Sequence, residues 1–169
     1  MNKRVTIIQA SSRSDGHTAL LSQYILQNYD ARFIDLNTKS IGQYRYDDDN
    51  DGDDFLPTMQ ELISESDVLL FLTPIYWYTM SGLMKTFLDR ISELLKDEKS
   101  LGRQLRGMYL GCISMSNDLA IDYDFDMPVR KSAKYLGMHY LQYVHCCVMN
   151  NELTSDSKSK VDTLISQIN

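Results

Sequence analysis

Residues 11 to 18, SSRSDGHT, follow directly on the apolar run VTIIQA and precede a segment with helical spacing. Ser11, Ser12, Ser14 and Thr18 supply hydroxyl donors, Arg13 a flexible cation, Gly16 the freedom for a tight turn and His17 an imidazole. A helix N-terminus adds unpaired N–H groups and about half a positive charge, so it favours anions. Together these groups describe a cup for a phosphate; the same residues also suit a serine-rich turn that merely caps the helix. The patterns GxxxxGK[ST] and GxGxxG are both absent, which argues against a nucleoside triphosphate and against a pyrophosphate-bridged dinucleotide held in Rossmann fashion. A single terminal phosphate remains.

A second stretch, TPIYWYTMSG at 73 to 82, crowds Tyr76, Trp77 and Tyr78 behind Pro74 and Ile75. Flat aromatic surface stacks on planar rings and excludes water, although one or two of these side chains could simply pack under the next helix. Phosphate at one end and a planar ring at the other describe a mononucleotide-like cofactor, and flavin mononucleotide (FMN) fits best. A third stretch, SMSNDLAIDYDF, offers Ser114, Ser116 and Asn117.

The elements around these loops are read from apolar period. Strands are expected at 4 to 10, 32 to 36, 67 to 73, 107 to 114 and 138 to 149. Helices are expected at 18 to 28, 56 to 66, 80 to 95 and 126 to 137, with a last one from about Ser155. The helix from Met80 to Leu95 carries apolar residues at i, i+3, i+4 and i+7 over four turns. Asp126 is expected as the N-cap of the next helix, with Pro128 in its first turn and Gly137 as its stop. Strands alternating with helices, without repeats or linkers, imply one α/β domain over residues 1 to 169. Its architecture is expected to be a three-layer flavodoxin-like sandwich on a five-stranded parallel sheet of order 2-1-3-4-5. In such sheets ligands bind beyond the carboxyl ends of the strands, which selects the three stretches above.

Bulk properties narrow the partners. Net charge is −6, which opposes binding to nucleic acid or an anionic membrane as a bulk property. No apolar run approaches the roughly 20 residues of a membrane helix, and the N-terminus turns polar too soon for a signal peptide, so a cytoplasmic protein is expected. Cys112, Cys146 and Cys147 lack CxxC spacing and read as reduced core thiols. DDDNDG at 47 to 52 matches half of an EF-hand loop, but Thr58 stands where a bidentate glutamate is required, so a solvated loop is preferred to a calcium site.

The segment DDFLPTMQELISESDVLLFLTPIYWYTMSGLMKTFLDR, 53 to 90, together with SSRSDGHT, resembles the flavodoxin-like NAD(P)H-dependent oxidoreductases, often called NADPH-dependent FMN reductases. The resemblance spans most of the chain. It implies bound FMN, with Ser11, Arg13, Ser14, His17 and Thr18 around its phosphate, Pro74, Ile75, Tyr76, Trp77 and Tyr78 along ribityl and ring, and Ser114, Ser116 and Asn117 at the ring edge. It implies NADPH or NADH as donor, a small acceptor (a quinone, a nitro or azo compound, or free flavin), no catalytic side chain because the chemistry is the flavin's, no metal, and a homodimer, with Tyr44 and Tyr46 possible lining for a neighbouring subunit's pocket. IGQYRYDDDNDGDDF has no cysteine, so no iron–sulfur cluster is expected. The competing expectations are a flavodoxin-type electron carrier, a flavin sensor without turnover, and a receiver-type signalling domain. The last lacks its acidic cluster and phosphoacceptor, since those positions read QASS and LTP.

Overall fold

A computed structural model describes residues 3–46, 52–121 and 123–168, so all of the EF-hand-like stretch at 47 to 52 except Gly52 lies outside the described residues. The elements run β1 (Val5–Gln9), α1 (His17–Asn28), β2 (Ala31–Asp35), α2 (Phe55–Glu65), β3 (Val68–Tyr76), β4 (Thr79–Met80), α3 (Gly82–Arg90), α4 (Glu93–Lys96), α5 (Lys99–Gly102), β5 (Tyr109–Ser116), α6 (Met127–Leu136), β6 (His139–Met149), β7 (Glu152–Leu153) and α7 (Ser155–Ser166). Alternate residues of the central strands feed two cores. Ile8, Phe71 and Cys112 pack with Phe55, Met59, Phe87 and Val129 from α2, α3 and α6. On the other face Ile7, Leu70 and Ile113 meet Leu21 and Ile25 of α1 and Val161 and Leu164 of α7. Both faces of β1 and β3 are therefore covered, which explains their unbroken apolar runs.

The sheet is mostly parallel, in the order β2-β1-β3-β5-β6-β7, with β4 attached to β3. The expectation of five all-parallel strands is thus corrected to seven among the described residues, because two long strands fold back on themselves. β4 pairs antiparallel with the end of β3, and β7 antiparallel with the end of β6. β3 also runs through Pro74, where the sequence had it stop. Leu72 turns its carbonyl to the β1 side and accepts the Ala10 N–H at 2.8 Å. Pro74 faces the same way two residues later, beyond the last β1 pair at Gln9, so its missing N–H leaves no ladder bond unmade.

The single helix expected at 80 to 95 is two. Met80 belongs to β4, Ser81 caps α3 by accepting the Met84 N–H at 3.1 Å, and the chain turns at Ile91 before α4. Ile91 and Ser92 keep right-handed helical dihedrals through the turn, so the apolar stripe survives the break and hides it from a periodicity reading. Asp126 precedes α6 as expected but caps nothing with its side chain. Its carboxylate instead accepts from Arg130 Nε at 3.2 Å and the Tyr140 hydroxyl at 2.7 Å. Gly137 ends α6 at φ 73, the left-handed conformation that a glycine takes without strain. All three cysteines are buried free thiols. Burial pushes the Cys146 thiol up to about 12 and the Cys112 thiol up as well, which keeps both protonated and unreactive.

Arg90, only 1 % exposed, fixes the segment before α2 to the helices after β4. Its guanidinium pairs with the carboxylates of Asp53 and Glu93, donates to the Gly42 carbonyl at 3.1 Å and lies 4.8 Å from the Phe55 ring. Burial alone would raise the Asp53 carboxyl, but the Arg90 guanidinium and the N–H groups of Phe55 and Gly42 hold it below the usual carboxylate range. A carboxyl whose folded-state pKa is depressed contributes stability above its unfolded value of about 3.9 and loses it as pH falls through the lower folded value. Urea midpoints should therefore drop steeply below about pH 4, and Asp53→Asn should flatten that acid limb while lowering the neutral plateau. An unchanged acid limb in Asp53→Asn would place the sensitivity elsewhere.

Candidate functional site

Three loops converge at the carboxyl ends of β1, β3 and β5 around a cavity of about 360 Å³, within the range of small-molecule sites. The first wall is the turn into α1. Gly16 stands before the first helical residue, and no side chain caps the N-terminal N–H groups there. Ser11 and Thr18 are buried against it. The Arg13 guanidinium folds over Gly16, where a Cβ would sit 3.5 Å from its Nη2. Among the described residues that guanidinium has no acidic partner, and its backbone N–H lies 3.4 Å from Ser11 Oγ. His17 reaches across to Asn151, Nε2 to Oδ1 3.2 Å. Unfilled helix donors, two buried hydroxyls and one uncommitted cation form the donor set that a phosphate monoester needs.

The second wall is the end of β3. Ser81 locks it to the first: its Oγ donates to the Ala10 carbonyl at 2.6 Å, and its N–H donates to Thr73 Oγ1 at 2.9 Å. The Tyr76 hydroxyl lies 2.8 Å from Ser12 Oγ. β3 then reverses into β4 through two residues, with Ile75 opposite Met80 and Tyr76 opposite Thr79. The two turn residues are Trp77 at φ 50 and Tyr78 at φ 66. Two-residue hairpins with positive φ at both positions favour Asn-Gly, and the β6–β7 hairpin of this chain uses Asn150 and Asn151. Bulky residues held in that conformation cost of order 1–3 kcal/mol each. Trp77 is 92 % exposed, and Tyr78 makes an edge contact to Tyr123 at 5.9 Å. The double replacement Trp77→Asn, Tyr78→Gly is expected to raise stability by about 1–2 kcal/mol. A thermal melt without ligand tests it, and a lower midpoint would show that the two rings contribute more by packing than their backbone costs.

The third wall is Met115, Ser116, Asn117 and Asp118, where the Asp118 N–H donates to Ser116 Oγ at 3.0 Å. Asp118 is the one acid on the lining among the described residues and stands with Arg13 and His17 around the same space.

Nine of the thirteen residues expected around the cofactor line this cavity: Ser11, Arg13, His17, Thr18, Pro74, Ile75, Tyr76, Ser116 and Asn117. Four do not. Ser14 turns away, its Oγ accepting from Asn37 Nδ2 at 3.1 Å. Trp77 and Tyr78 stand on the hairpin tip outside. Ser114 is fully buried, 2.6 Å from the Tyr143 hydroxyl and 2.9 Å from His145 Nδ1. Met115 and Asp118 were missed. Strand period would have found the first, since Met115 shares the Ile113 face one residue before β5 ends at the rim.

A family model described as NADPH-dependent FMN reductase matches residues 3–152. YwqN of Bacillus subtilis (strain 168), provisionally named as an NAD(P)H-dependent FMN-containing oxidoreductase, is 34 % identical over 107 residues, 57 % of this chain and 56 % of its own length. An NADPH azoreductase from Bacillus sp. (strain OY1-2) is 24 % identical over 89 residues, 53 % of this chain and 50 % of its own length. The chain thus spans about half the length of the curated relatives it matches. The solved structure of a flavodoxin, WrbA-like protein from Agrobacterium tumefaciens superposes with a TM-score of 0.68 at 16 % identity, over 98 % of this chain and 94 % of the other, and shows the same fold. With the mostly parallel sheet, the helix N-terminus that no side chain caps and the match over residues 3–152, the chain belongs to the NADPH-dependent FMN reductase family.

Proposed function

We propose that the cavity binds FMN and that the protein passes electrons from NADPH or NADH through it to a small acceptor. The observation that carries the reading is the donor set at the start of α1: uncapped N–H groups, buried Ser11 and Thr18, and an Arg13 guanidinium without an acidic partner among the described residues. A monoester tail satisfies all of them, with His17 at its side. Pro74, Ile75 and Tyr76 then border the ribityl chain and ring, and Ser116 and Asn117 close the opposite edge. The flavin supplies hydride and electron transfer. This chain's residues hold it, exclude water from one face and orient the other face outward. Trp77 and Tyr78 form the outer rim, where a planar partner arrives; the azoreductase relative supports an acceptor of the quinone or azo class.

The described residues contain no helix long and apolar enough to cross a membrane. A single domain and a homodimer assembled over the exposed aromatic rim complete the reading, and sedimentation tests the second of these. The decisive experiment mixes the protein with FMN, then adds NADPH and a quinone or azo dye under anaerobic conditions. Quenched flavin fluorescence followed by acceptor-dependent NADPH loss is expected. Flavin binding without NADPH oxidation would instead leave an electron carrier or a sensor, and no binding would remove the proposal.

A further inference from the structure

Ser114, expected from sequence at the cofactor, is buried beneath the site in a continuous polar chain. Ser114 of β5 stands directly opposite His145 of β6 in the parallel ladder. The Tyr143 hydroxyl lies 2.6 Å from Ser114 Oγ, Ser114 Oγ lies 2.9 Å from His145 Nδ1, and His145 Nε2 lies 2.9 Å from the Asp118 carbonyl oxygen. The far end sets the direction of the whole chain, because a carbonyl can only accept. Nε2 therefore carries the hydrogen, the Nδ1 of a neutral ring accepts from Ser114, and Ser114 accepts from Tyr143. Burial pushes the Tyr143 phenol up, which keeps it a donor at the start of the chain. No buried side-chain polar atom among the described residues is left without a hydrogen-bond partner.

The consequence falls on the third wall. Ser116, Asn117 and Asp118 line the cavity; Ser116 ends β5 and pairs with Cys147 of β6, but Asn117 and Asp118 follow it and lack the sheet's ladder to hold them. Two bonds fix them: the Asp118 N–H to Ser116 Oγ, which is local, and the Asp118 carbonyl to His145, which ties the loop to the sheet. We propose that His145 is a positioning residue for the cofactor site, holding the Asn117–Asp118 part of the third wall at a fixed distance from the phosphate loop through the Tyr143–Ser114–His145–Asp118 chain. Ser114 then acts through His145 and does not touch the cofactor. This rests on the reading of the cavity as an FMN site.

Glutamine spaces an acceptor and a donor much as the two imidazole nitrogens do, so His145→Gln can rebuild both bonds, whereas His145→Leu fills the space and makes neither. FMN dissociation constants of the apoprotein, measured by fluorescence quenching, should rise about tenfold in His145→Leu and return to within about threefold of the parent in His145→Gln. Ser114→Ala, which removes only the middle link, should fall between them. Ligand-free melting midpoints are read in parallel, because a loss of folding alone would lower the midpoints of His145→Leu and Ser114→Ala without rescue by glutamine. Unchanged affinity in His145→Leu, or equal impairment in His145→Leu and His145→Gln, would overturn the assignment. Should His145→Leu fail to fold, Ser114→Ala and His145→Gln still decide it: parent-like affinity in Ser114→Ala refutes the chain. A parent protein that binds no FMN would instead sink the cofactor reading itself.

Discussion

Arg90→Met is expected to lower the unfolding free energy by about 3–5 kcal/mol, because it strands the buried carboxylate of Glu93 and the partly buried one of Asp53 without their counter-charge. The loss is a desolvation effect more than a lost attraction. The triple variant Arg90→Met, Asp53→Asn, Glu93→Gln should therefore recover a large part of it, since no uncompensated charge stays in the interior. Denaturant unfolding of four proteins, parent, Arg90→Met, the double variant Asp53→Asn, Glu93→Gln and the triple, closes a cycle that measures the coupling directly. Additive losses would mean that the guanidinium acts through its contact with the Phe55 ring and the Gly42 carbonyl, not through charge. The cluster also joins the stretch that leads into α2 to the turn between α3 and α4, so its failure is expected to loosen that turn first.

The pattern of β1, β3 and α2 was legible because burial on both faces, or on one helical stripe, leaves a mark at every residue. What escaped depends on contacts between segments far apart in sequence. The break after Arg90 escaped because Ile91 and Ser92 keep helical dihedrals through the turn and so preserve the apolar stripe. The β3–β4 hairpin escaped because Trp77 and Tyr78 are among the least expected residues for left-handed turn positions, whereas Asn150 and Asn151, in the equivalent turn after β6, carry the ordinary signal. At the cavity, residue types pointed to loops that line it but not to the orientation of their side chains. Ser14 and Thr18 are both hydroxyls on one loop, and only the structure shows Ser14 turned to Asn37 and Thr18 buried beside the cavity. Ser114 illustrates the same limit on a strand, where alternation assigns a face but not a partner.

That difference in orientation sets the strongest functional expectation. Thr18→Val keeps the shape of the side chain and removes its hydroxyl, and a hydrogen bond to a charged group contributes about 1.5–3 kcal/mol, so FMN affinity should fall roughly 10- to 150-fold. Arg13→Ala should weaken binding about tenfold at low salt, and this penalty should shrink as ionic strength rises, because the guanidinium is exposed and its attraction is screened. Ser14→Ala should stay within about twofold of the parent, its hydroxyl being committed to Asn37. Riboflavin, which lacks the phosphate, serves as the internal control: it should bind all four proteins weakly and alike. Fluorescence titrations with both flavins at two salt concentrations decide the matter. If Thr18→Val loses riboflavin as much as FMN, the hydroxyl contacts the sugar-like chain or shapes the loop, and the phosphate belongs elsewhere. If Ser14→Ala proves as damaging as Thr18→Val, the loop rearranges on binding and its free geometry does not foretell the cup.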